Sequence, residues 1–177
     1  MNSIIKNIGK KFLLSFVLIF SVMATSFAQN QSDGKVAFSI KKGFSTVKGE
    51  FQKFDYAIDL NGEIGGTARV ASVKTKSANR DKHLQSEDWF FAEKYPMIEV
   101  KSQKINKKSD MEYVGVFEVK IKGKTETKEI PFQVVNQNGK KYFKANFQLS
   151  LDTFNIGSGF LGFLVGDKVT VDLNLPF

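Results

Sequence analysis

Histidine is the side chain that most readily trades protons near neutral pH and one of the commonest metal ligands, and the 177 residues contain a single one, His83. One histidine rules out a multi-histidine zinc centre within the chain. Asp81, Glu87 and Asp88 flank it. On a helix Glu87 would share a face with His83, four residues back, a pair that suits weak cation ligation or a simple hydrogen bond but falls short of the three protein ligands of a catalytic zinc. Cysteine is absent, so disulfides and thiolate metal sites are excluded. Glu87 and Asp88 are adjacent, and on a helix they diverge by about 100°, so they do not face each other across a substrate as an acid–base pair. Ser158 sits in Gly157-Ser158-Gly159, without the residue between glycine and serine that a nucleophile elbow requires. Hydrolase chemistry finds no support in these residues.

Around these residues the chain alternates apolar and polar positions with period two, the mark of half-buried strands. Val36, Phe38 and Ile40 form one such row; Val47, Gly49 and Phe51 another; Phe54, Tyr56, Ile58 and Leu60 a third. The parity shift between Phe51 and Phe54 predicts a bulge or sharp bend, for which Gly49 is the candidate. Asn61-Gly62 predicts a hairpin turn, and 64–74 a weaker strand. A helical insert is expected around 79–92, capped by Ser77 or Asn79 and ended by Tyr95-Pro96. Alternation resumes with Ile98 and Val100, then runs from Tyr113 to Ile121, through Ile130, Phe132 and Val134, past a turn at Asn138-Gly139, from Phe143 to Leu151, and from Val169 to Phe177. The count is about eight strands, each with one dry and one wet face. The spacing is that of an all-β barrel or sandwich, and an eight-stranded antiparallel barrel satisfies the dry and wet faces. Fourteen of the 18 phenylalanines follow residue 28. On an inward face they either plug a small barrel or wall a ligand cavity, and composition leaves both open.

Residues 1–28 have the form of a signal peptide: Lys6, Lys10 and Lys11, then the apolar Phe12 to Phe20, then Ser26-Phe27-Ala28. The apolar run is shorter than the roughly 20 residues of a membrane-spanning helix. A domain at 29–177, without a transmembrane span and periplasmic or secreted after cleavage near Ala28, is the expectation. Removing the three signal lysines takes the formal charge from +8 to +5, and no arginine-rich arm or zinc-finger spacing suggests nucleic acid. Lys101, Lys104, Lys107 and Lys108 gather near one loop, as a solvated hairpin end or a contact for polyanions or a protein partner.

Arg80-Asp81-x-His83-Leu84-x-Ser86-x-Asp88, followed by Trp89-Phe90 and later Tyr95-Pro96, resembles the signature of the YceI-like family. Val47-x-Gly49-x-Phe51, Ser72-Val73-x-Thr75 and Val119-x-Ile121-x-Gly123-x-Thr125 resemble its opening strands, the segment before the signature and a later turn. The resemblance implies a lipocalin-like barrel holding an isoprenoid quinone, polyprenyl phosphate or fatty-acid-like chain, with no cofactor beyond that lipid, and leaves a homodimer open. The ligand-binding candidates are Phe38, Phe51, Arg80, His83, Trp89, Phe90, Phe117, Phe132, Phe147, Phe154, Phe160 and Phe163. The chain also departs from the family. Trp89 stands where Phe is usual and Phe91 where Asp is usual. Leu151-Asp152-Thr153-Phe154-Asn155 replaces a common Arg-Ser-Asp-Phe-Gly. Without that arginine, Arg80 and His83 become the candidates for the lipid's polar end, although Arg80 and Asp81 also suit a structural role at a helix start. Residues 157–166 are read as an apolar lid. A different reading, an outer-membrane barrel, is suggested by Val169-x-Val171-x-Leu173-x-Leu175-x-Phe177.

Overall fold

Period-two alternation becomes, in the computed structural model, one antiparallel sheet of ten strands that curls back on itself, with one short helix. The structure describes residues 34–42, 44–157 and 166–177. The signal-peptide reading of 1–28, Ser158, most of the expected lid, Phe160 and Phe163 lie outside the described residues. The strands are β1 (Lys35–Lys42), β2 (Ser45–Phe51), β3 (Phe54–Ile58), β4 (Ile64–Arg69), β5 (Val73–Thr75), β6 (Met97–Lys107), β7 (Glu112–Ile121), β8 (Lys124–Gln137), β9 (Lys140–Ser150) and β10 (Lys168–Pro176), with α1 at Ala78–Leu84. Their order is β3-β4-β6-β7-β8-β9-β10-β1-β2-β5.

Ten strands replace the expected eight because two long runs are broken at one corner. β2 stops at Phe51 and resumes as β3, and β4 turns through a 3-10 segment, Val70–Ser72, into β5. The corner is stitched by Ser72, whose Oγ donates to the Arg69 carbonyl at 2.7 Å and accepts from the Lys53 amide at 3.0 Å. Arg69 N in turn donates to Lys53 O at 2.9 Å. The sheet order begins with β3 and ends with β5, and both return to this corner. The bend therefore falls at Gln52–Lys53 rather than at Gly49. Gly49 serves a different purpose. It pairs with Phe38 across β1 and β2, and a Cβ there would lie 2.4 Å from the Phe38 ring. Its missing side chain is what lets that ring lie flat on the strand.

Asn138-Gly139 and Lys122-Gly123 are two-residue hairpin loops with positive φ at both positions, 54° and 81° in the first, 50° and 74° in the second, the geometry that matches strand twist. Asn61-Gly62 also turns a hairpin, but through 59–63, where the Asn61 amide donates to the Asp59 carboxylate at 2.9 Å. Gly123 carries a double demand: its φ is left-handed, and a Cβ would sit 2.7 Å from the Tyr95 ring. Gly123→Ala should therefore lower stability by about 1–3 kcal/mol in urea unfolding; an unchanged midpoint would mean that Tyr95 moves aside freely.

The inward rows build the core, with Phe117, Val119, Val73 and Phe154 at 2% exposure or less. The outside is charged, with cross-strand ion pairs such as Lys120–Glu99 at 3.1 Å and Lys101–Glu63 at 2.9 Å. A membrane barrel needs an apolar exterior, so the outer-membrane reading does not fit this wall. No helix among the described residues is long and apolar enough to cross a membrane. In the lysine-rich loop Lys107 reaches Asp110 at 2.9 Å, which raises the ammonium pKa and lowers that of the carboxyl. Both groups are solvated, so the pair contributes little to stability.

Candidate functional site

The insert that carries the signature residues is shorter as a helix than expected. Ser77 caps it, accepting from the Arg80 amide at 3.4 Å, but α1 ends at Leu84 instead of continuing to residue 92. Ser86 takes the His83 carbonyl with both its hydroxyl, at 2.7 Å, and its amide, at 3.0 Å, a local bond that competes with helix continuation. Phe91 then adopts φ 52°. Glu87 consequently lies on a turn, and the helical face it was expected to share with His83 does not form. Among the described residues no group of three or more His, Cys, Asp or Glu is placed to hold a metal ion.

Asp81 is 6% exposed, and its Oδ1 accepts from both the amide and the hydroxyl of Thr75, each at 2.7 Å. Arg80 Nε donates to the same hydroxyl at 3.0 Å. This knot welds α1 to β5 and explains chemically why an aspartate stands at that place. Lys74, 3.9 Å from Asp81 and largely exposed, adds little. Farther along, Gly157 N donates to Asp88 O at 3.0 Å and lies against the Trp89 ring. Lys122 Nζ donates to Asn155 O at 2.8 Å; partial burial pushes its ammonium pKa down, and Asp88 and Glu87 oppose that shift.

Inside the curl lies a hollow of about 650 Å³. That is within the range of roughly 300–1,000 Å³ typical of small-molecule sites. Its wall is overwhelmingly aliphatic and aromatic, running from Ile58 and Ile64 at one end to Leu151 and Phe154 at the other. Such a wall offers water few partners. The polar side chains of the wall are few: Asp55, Tyr56, Thr67, Asn79, Arg80 and His83. Tyr56 spends its hydroxyl on the Pro176 carbonyl at 2.6 Å.

Nine of the twelve expected residues line this hollow: Phe38, Phe51, Arg80, His83, Trp89, Phe90, Phe117, Phe147 and Phe154. Phe90 meets Phe51 edge-on at 6.1 Å, and Phe51 meets Phe38 at 5.7 Å, so a chain of rings joins the insert to β2 and β1. His83 lies edge-on to Trp89 at 5.8 Å. Phe132 is placed elsewhere. It stacks on Tyr113 at 5.2 Å and lies tilted against Phe143 at 4.6 Å, where β8 and β9 are paired, and it lines a separate, more polar depression with Lys108, Glu112 and Asp172. Phe160 and Phe163 lie outside the described residues. The expectation from aromatics also missed the small residues that make the space, Gly66, Ala68 and Ala145. Their signal was the run Gly65-Gly66-Thr67-Ala68 within a strand.

Fold and site together define a lipocalin-like β-barrel with an apolar interior. The chain belongs to the YceI-like family: the pattern of the YceI-like domain matches residues 27–177. It is 27% identical over 125 residues to a UPF0312 protein of Photorhabdus laumondii, covering 64% of this chain and 65% of that one, so it spans just under two thirds of that relative's length. Among solved structures it is similar to BcnA of Burkholderia cenocepacia, with a TM-score of 0.77, 25% identity, and coverage of 81% of this chain and 96% of that one. It shares its fold with a polyisoprenoid binding domain from Saccharophagus degradans, with a TM-score of 0.69, 13% identity, and coverage of 83% and 94%.

Proposed function

We propose that the protein holds a long-chain apolar lipid, a polyisoprenoid, isoprenoid quinone or fatty-acid-like chain, inside the barrel. Its role is carriage, storage or a stress response, in the periplasm or outside the cell once residues 1–28 are removed. The observation that carries this reading is the hollow of about 650 Å³ with an apolar wall. Each methylene moved there from water contributes roughly 0.8 kcal/mol, so a long chain gains more than a small polar ligand. The polyisoprenoid binding domain with the same fold supports the choice of lipid. Asn79, Arg80 and His83 are the polar side chains that the α1 end contributes to the wall. The reading is the same for a monomer or a homodimer.

Trp89 is the only tryptophan and lines the hollow, which makes its emission a direct reporter. Organic extraction of the purified protein followed by mass spectrometry should recover a long-chain lipid, and titration of delipidated protein with an isoprenoid quinone should quench Trp89 saturably. An empty protein whose emission answers to neither quinones nor polyprenols would sink the proposal.

A further inference from the structure

The wall of the barrel has a seam with a charged lining. The β8–β9 ladder runs from Gln137↔Lys140 to Phe132↔Ala145 and stops, while β8 continues back to Lys124 paired with β7. Pro131 stands at the parting. The Val134 amide donates to Met111 O at 2.8 Å, toward the β7 side, and backbone groups alternate sides along a strand. Position 131 therefore faces β9, where proline has no N–H to offer. The far end of the seam is fastened by Asn155, which accepts from Lys122 Nζ through its carbonyl and from Lys124 Nζ, at 3.1 Å, through Oδ1.

Along this stretch two charged residues of β8 face inward. Glu126 pairs with Val119 and Lys128 with Phe117; directly opposed residues share a face of the sheet, and both partners are 2% exposed members of the cavity wall. Lys128 Nζ lies 3.6 Å from Glu126 Oε1, too long for a hydrogen bond. Glu126 Oε2 is buried without a hydrogen-bond partner. A buried carboxylate oxygen left unmet is costly; neither side chain is itself part of the cavity wall, but their cross-strand partners Val119 and Phe117 are.

We propose that Glu126 and Lys128 receive the polar end of the bound lipid, and that this end is an uncharged group able to donate a hydrogen bond, a hydroxyl being the simplest. The proposal rests on the lipid-binding reading above and narrows it. A hydroxyl donates to Glu126 Oε2 and accepts from Lys128 at once. A phosphate or carboxylate would satisfy Lys128 but set a second negative charge against Glu126 in poorly solvated surroundings. Arg80, on α1, has the opposite preference, so the two polar stations predict different lipids.

The test offers delipidated protein an equimolar mixture of a long-chain polyprenol and the corresponding polyprenyl phosphate, and quantifies the retained lipid by mass spectrometry after gel filtration. The alcohol should be enriched by about tenfold, and Glu126→Gln should bring the ratio to within about twofold, because the amide no longer repels the phosphate. Should that variant fail to fold, Lys128→Gln is measured instead and must retain less alcohol than the parent. Equal retention or a preference for the phosphate in the unmodified protein overturns the proposal and favours Arg80. So does an alcohol preference that survives Glu126→Gln unchanged. If neither isoprenoid is held but quinones or fatty acids are, the proposal alone falls; if no apolar lipid is held, the lipid-binding reading falls with it.

Discussion

Asp81→Ala is expected to lower the stability of the domain by about 3 kcal/mol and its melting temperature by roughly 10 °C. The carboxylate is buried and serves two donors of Thr75 at 2.7 Å, so the alanine leaves the Thr75 amide and hydroxyl without their shared acceptor and loosens the hydroxyl that Arg80 Nε bonds. Bonds to a charged group contribute about 1.5–3 kcal/mol each, and a buried donor left unmet adds to the loss. Asp81→Asn keeps one acceptor and should cost less. A double-mutant cycle with Thr75→Val would give a coupling of about 1–3 kcal/mol if the knot acts as described. Urea unfolding of the four proteins decides it; additive losses would mean that Asp81 stabilises the domain through some other contact.

Ala68→Phe should reduce lipid retention by at least about tenfold while leaving the fold intact. Ala68 belongs to the cavity wall and stands between Phe54 on β3 and Ile98 on β6. A phenyl ring there enters the hollow and competes with the chain for the same space. In a filled core such an insertion costs about 1–3 kcal/mol; an unoccupied hollow takes it with a smaller change in unfolding midpoint. Comparing co-purified lipid and melting curves for the two proteins separates the cases. Full retention of lipid by Ala68→Phe would place the ligand somewhere other than this cavity.

The long strands were legible in the sequence where the inward row repeats without error, as from Phe143 to Leu151; the irregularity of β6 between Ser102 and Lys104 was not. The two glycine turns with positive φ were equally plain in the case of Asn138-Gly139, whereas Lys122-Gly123 carried its signal only in the glycine. The helix length was not legible. Its end depends on Ser86 capturing the His83 carbonyl and on Phe91 accepting a left-handed conformation, and hydrophobic periodicity encodes neither. For the site, aromatic residues mark the wall of the hollow where the sheet curves away from itself, whereas Phe132 packs with Tyr113 and Phe143 of the flanking strands β7 and β9, a difference that sequence alternation does not encode. The charged pair at Glu126 and Lys128 was within reach: both share the parity of Ile130 and Phe132, and extending that row backward would have set two charges on the dry face.

Pairing between β1 and β10 joins Lys35 to Asn174 and Ile40 to Val169, and Tyr56 on β3 is bonded to Pro176. The first strand thus has no partner on one side until the last has been synthesised. A ribosome-bound chain lacking β10 would expose the inner rows of β1 and β9 to solvent, and long-range pairing of this kind is slow. Closure of the wall therefore waits for β10; until then a holding chaperone has the most apolar surface to grip, and a cognate lipid, if already at hand, can be wrapped as the wall forms.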